Sequence, residues 1–164
     1  MELIIELKQN ADRFVSAVSS FYQEEFNLVP FKDSWTAAQV TKHVLKSAQG
    51  ALDNIRGTTT VPERPSDQHV QMIRDLFLNF EMKFKSPDTV LPGNQPQDKD
   101  SLLSNLKSTF NDLQLAASHD NLDELCTSTP FPTVGYLTRL EMLHFVSVHT
   151  QRHIRQLDHI LKAL

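Results

Sequence analysis

The chain has 164 residues and 18.7 kDa, with 40% hydrophobic and 22% charged residues, a net charge of −4 and a pI near 5.9. These values suit one soluble domain spanning residues 1–164 and exclude a nucleic-acid binder that works through clustered Lys and Arg. Acidic Glu2 and Glu6 stand where a signal peptide would be basic and apolar, and no run of about eighteen apolar residues is long enough to span a membrane. A lone cysteine, Cys126, cannot close an internal disulfide, so a cytoplasmic setting and a packed, inert thiol are expected.

Only four glycines occur, and the proline-bearing stretches cut the chain into segments whose periodicity is helical. The first helix is predicted over about residues 2–26, with Leu3, Leu7, Phe14, Val18, Phe21 and Tyr22 along one face. Thr36-Ala-Ala-Gln39 is a capping box, Trp35 and Val40 form its hydrophobic staple, and the helix should run to about Arg56, before Gly57. After the loop at 57–65, a shorter helix is predicted from about Ser66 to Phe84. Residues 85–99, with three prolines and a glycine, read as a long irregular crossover. A third main helix follows from about Lys99 to His119, and after a proline-containing loop the last runs from Thr138 almost to Leu164, opened by the capping box Thr138–Glu141. The expected fold is all-α: a four-helix bundle with an additional short helix between its second and third main helices.

The last helix carries HFVSVHTQRHIRQLDH, with four of the seven histidines. At about 100° per residue, His149 and His153 fall on the face of Met142, Val146, Leu157 and Ile160, whereas His144 and His159 fall on the polar side. Two imidazoles at i and i+4 can converge on one metal ion, given a third ligand from another helix. His43 is the candidate, at the border of the apolar face of the second helix, where periodicity alone reads it equally as a ligand or a surface residue. His69 and His119 are the alternatives, and both look exposed or capping. No side-chain general base is identified. Glu141 belongs to its capping box, Gln39 reads as a cap partner, Gln156 as an interhelical hydrogen bond, and Arg152 as a surface or dimer contact.

The segments SWTAAQVTKHVLKSAQG around His43, LTRLEMLHFVSVHTQRHIRQLDHI around His149 and His153, and FKSPDTVLP in the crossover resemble the DinB-like (DinB/YfiT-like) superfamily of metal-dependent enzymes. The resemblance spans essentially the whole chain. It implies a four-helix bundle, a homodimer, and a divalent ion, zinc or nickel, held by His43, His149 and His153. Three neutral imidazoles leave a coordination position open, the form of a catalytic rather than a structural site. Such an ion activates water or a small thiol, which points to hydrolysis or to S-transfer from a low-molecular-weight thiol to a small-molecule electrophile. The alternative is a metal-binding or stress-related bundle without turnover.

Overall fold

The computed structural model describes residues 2–164 and is mostly helical. Helix α1 (Glu2–Ser19) buries Leu7, Ala11, Phe14 and Val18, a spacing of three and four that draws one face. It stops well short of residue 26. Lys99 Nζ takes the Phe21 carbonyl at 2.6 Å, and the Glu25 carboxylate accepts the Tyr22 N–H at 3.1 Å, starting a new single-turn helix, α2 (Gln23–Phe26). The break lets Phe21 and Phe26 both enter the core and leaves Tyr22 74% exposed, so Tyr22 is not part of the apolar stripe.

Helix α3 (Ala37–Arg56) starts at the expected capping box: Gln39 N–H donates to Thr36 Oγ1, and Thr36 N–H donates to Gln39 Oε1, both at 3.0 Å. At Gly57 a Cβ would lie 2.2 Å from Ser128 Oγ, so a glycine lets the following loop approach residues 127–128. There β1 (Thr59–Thr60) pairs antiparallel with β2 (Leu125–Cys126), Thr59 opposite Cys126. Cys126 is wholly buried, and that burial pushes its thiol up to about 11, which leaves it unreactive at neutral pH.

Helix α4 (Val70–Leu78) is shorter than the predicted Ser66–Phe84 at both ends. Tertiary hydrogen bonds take the backbone groups that the missing turns would use. Thr138 Oγ1 donates to Ser66 O, and His69 N–H donates to Glu141. Arg152 takes the carbonyls of Phe77, Asn79 and Met82. From Asn79 to Asp98 the chain is a strap with one 3-10 turn at Asp88–Val90. Asp98 then caps α5 (Lys99–His119) by accepting the Ser101 N–H at 2.8 Å. Thr138 caps α6 (Arg139–Ala163) with Glu141 as its reciprocal partner.

Helix α6 packs against α1, α3 and α4, and α5 closes the other side of the core against α1 and α3. Leu106, Leu113, Leu157 and Ile160 are fully buried at these contacts, each contributing roughly 1.5–3 kcal/mol. Glu141 is also fully buried. Burial opposes its ionisation, but the Arg64 guanidinium and the Thr138 and His69 amides outweigh it and hold the carboxyl below the usual range. Among the described residues, no helix is long and apolar enough to cross a membrane.

Candidate metal centre

His43 stands two turns into α3, and His149 and His153 stand one turn apart in the middle of α6, where those helices pack together. The three rings are 4%, 7% and 8% exposed, so the border position of His43 is buried. His149 Nε2 lies 3.1 Å from His43 Nε2 and 3.1 Å from His153 Nε2. Imidazole nitrogens bound to one ion at about 2.0–2.1 Å sit about 3–3.5 Å apart, so the spacing matches a shared ion.

Hydrogen bonds on the far side of the rings decide where the protons are. His43 Nδ1 is 2.9 Å from Val90 O, and a carbonyl can only accept, so Nδ1 carries the proton. His153 Nδ1 donates in the same way to Gln156 Oε1 at 2.7 Å. In a neutral imidazole the opposite nitrogen is then a bare lone pair. Two such lone pairs point at His149 Nε2, which can hold at most one proton to share between them. A cation among the three nitrogens satisfies all of them, so the donor set fits a metal ion.

The electrostatics agree with neutral ligands. Burial lowers His43, against the opposing pull of the Val90 carbonyl. It lowers His149 well below its ordinary value, with His153 and His43 adding to the effect. Burial brings His153 down to about 3, with His43 adding to the shift. All three are therefore neutral near pH 7, the form that ligates.

The other histidines stay apart from this group. His119 and His159 are exposed, His159 with its ring edge against Phe31. His69 caps α4. His144 does not ride a wet face: α1 and α4 half-bury it beside Arg74 and Glu6, and burial lowers its pKa.

A family model of the DinB superfamily matches residues 6–157. The chain belongs to the DinB superfamily. No match was found among curated proteins or among solved structures. Superfamily membership and the three-histidine cluster are together compatible with metal binding.

In this DinB-superfamily chain, the supporting residues are the part that helical periodicity did not reveal. Gln156 orients His153 and makes no interhelical bond of the expected kind. Gln39, His43 and Lys46, on successive turns of α3, reach the strap carbonyls of Gly93, Val90 and Leu91. Arg152 projects into the same region, clamping the start of the strap and stacking 4.7 Å over the Phe84 ring, so it is no free surface residue. The i, i+3 spacing of His153 and Gln156 was the available signal for the first. Nothing local announces a carbonyl forty-seven residues away.

Beside the histidines opens a cleft of about 1650 Å³ between α3, α6, the strap and the loop at 128–134. Phe145 and Phe77 pack against His149 with centroids at 5.0 and 6.0 Å, and half-buried Trp35 lies 5.2 Å from His43.

Proposed function

We propose that this protein is a metal-dependent enzyme in which His43, His149 and His153 hold one divalent ion, zinc or nickel, at the head of the cleft. The four long helices are read as a four-helix bundle whose centre carries the ligands. The observation that supports this is the pair of oriented lone pairs, on His43 and His153, converging on His149 without a second proton to share.

When bound, the ion supplies Lewis acidity that makes water or a small thiol a better nucleophile near neutral pH. The chain does the rest. Val90 and Gln156 fix two tautomers, as outer partners of ligating histidines do. Phe77 and Phe145 exclude water from one flank of His149, and Trp35 covers His43. No carboxylate hydrogen-bonds to the three rings among the described residues, so the ion's charge stays undiminished toward the cleft. That charge suits either hydrolysis or transfer of a thiolate to an electrophile.

Metal content of untagged protein tests the site. Near-stoichiometric metal is expected in the native chain and none in His149→Ala or His153→Ala; unchanged content in those variants would sink the assignment. Incubation of loaded protein with an electrophile, with and without cellular thiols, separates the chemistries. Acceleration that requires one thiol means transfer, and ester or amide cleavage without thiol means hydrolysis. Metal binding with neither outcome leaves a bundle that binds metal without turnover.

A further inference from the structure

The ten phenylalanines of the chain fall into two sets. Phe14, Phe21, Phe26 and Phe110 are buried in the core. The other six, Phe31, Phe77, Phe80, Phe84, Phe131 and Phe145, all line the cleft. A core needs apolar volume, but it does not need partly exposed rings gathered around one opening.

Three of the six form the wall nearest the histidines. Phe77 comes from α4, Phe145 from α6 one turn before His149, and Phe131 from the loop before α6. Their centroids are 5.1 Å (Phe77–Phe145), 4.9 Å (Phe131–Phe145) and 6.5 Å (Phe77–Phe131) apart, with interplanar angles of 70°, 71° and 78°. Mutually perpendicular rings present both electron-rich faces and electron-poor edges, and a further aromatic ring completes that pattern better than an aliphatic group.

The loop that presents Phe131 is held firmly. Phe131 N–H donates to Gly135 O at 2.8 Å, and Asn54 exchanges hydrogen bonds with both backbone groups of Thr129. Thr133, a β-branched residue, sits at φ 65°, a conformation that persists only where its surroundings impose it and that clusters at ligand sites. The wall is thus preorganised. Of the cations lining the cleft, Lys46 binds Leu91 O, Arg152 binds strap carbonyls and Arg155 stacks 4.9 Å over the Phe80 ring, while Lys83, Lys85 and Lys162 also line it.

From this placement we infer that the cleft selects a substrate carrying an aromatic group, seated on Phe77, Phe131 and Phe145 while its reacting atom faces the three histidines. The inference rests on the cleft being the substrate site of the proposed enzyme.

Two uncharged probes without thiol or carboxylate test it: 4-fluoroanisole and its ring-saturated cyclohexyl analogue, titrated into the full chain and followed by fluorine NMR. Zinc-loaded and chelator-treated protein are both titrated. The aromatic probe is expected to bind at least about fivefold more tightly than the saturated one. Phe131→Leu, which keeps apolar volume without the ring, is expected to remove most of that preference while helical circular dichroism and metal content stay unchanged. Equal affinity for the two probes, or an unaltered preference in a folded Phe131→Leu, overturns the inference. Because the wall does not use the metal, preference should survive the chelator. A failed metal assignment and a failed aromatic subsite therefore give different results.

Discussion

On the α1 side of helix α6, Glu6 Oε1 accepts hydrogen bonds from Arg74 at 3.0 Å, Ser147 at 2.8 Å and Gln151 at 3.0 Å. Asn10 donates to Ser147, and His144 accepts from Arg74. On the α3 side of the same helix, three neutral imidazoles face one another with too few protons. The first cluster is closed: anion meets cation, and each named donor has an acceptor. The second is open, and nothing within it balances the converging lone pairs. Buried polar groups are normally satisfied internally, and the open cluster is compatible with a bound cation. The charged pair Glu141–Arg64, at the start of α6, belongs with the closed kind.

The contrast implies that closed clusters govern folding and the open one governs binding. The strongest way to break it is Glu141→Ala, which leaves Arg64 without its carboxylate and removes the reciprocal half of the α6 capping box. Losing one member of a buried ion pair costs about 3–5 kcal/mol. Urea unfolding should show a loss of that order, while surviving folded protein keeps its metal. A change in metal affinity without loss of stability would contradict the division.

Acid titration in the presence of a chelator is the next largest test. His149 and His153 have folded-state pKa values below the 6.5 of an unfolded chain, His153 down to about 3. As pH falls through 6.5, the unfolded chain takes up protons that the folded one refuses. Their contribution to stability is therefore complete above pH 6.5 and is lost progressively on acidification, for His153 toward about 3. Each such histidine adds a slope of up to about 1.4 kcal/mol per pH unit. His153→Gln should lower the slope by about that amount between pH 6.5 and about 4.5, followed by urea unfolding at each pH. An unchanged slope would mean that His153 titrates normally. Bound metal acts with the same sign and makes proton uptake by the ligands still harder, so the chelator is needed to read the histidines alone.

A smaller loss is expected at Glu6. It is partly exposed, so Glu6→Ala should cost about 2 kcal/mol, through the donors of Ser147, Gln151 and Arg74 left without their acceptor. Metal content should be unaffected, measured on protein purified in parallel with the native chain.

Two helix starts were readable because their caps are local chemistry, Thr36 with Gln39 and Thr138 with Glu141, and the start of α5 at Lys99 followed from the end of the proline-bearing stretch. His149 and His153 were readable because helical phase is set by sequence position alone. What failed was each inference about what covers a face. Phase put His144 opposite the apolar stripe, but α6 is packed by α1 and α4 on that side too, so opposite did not mean wet. The end of α1 at Ser19 and both ends of α4 depend on Lys99, Thr138, Glu141 and Arg152, partners far away in the chain. Periodicity read His43 equally as a ligand or a surface residue, and only the family resemblance joined it to the pair, since the joining depends on how α3 meets α6.

The smallest expected effect is the most direct probe of openness. Gln156 touches the cluster only through His153 Nδ1, at 2.7 Å. Gln156→Leu removes an acceptor, frees the His153 tautomer, and should weaken metal binding by roughly tenfold while apo stability moves by less than about 1 kcal/mol. Gln156→Glu should do the reverse. A carboxylate accepting from Nδ1–H makes the ligand more basic and adds the negative charge the cluster lacks, so affinity should rise above the native value. Competition with a chromogenic chelator measures both variants. In a closed cluster a new anion would have no cation to meet and would only destabilise. A Gln156→Glu chain that binds metal no better than native and unfolds more easily would therefore place the three histidines among the structural clusters, with His43, His149 and His153 sharing protons and no ion.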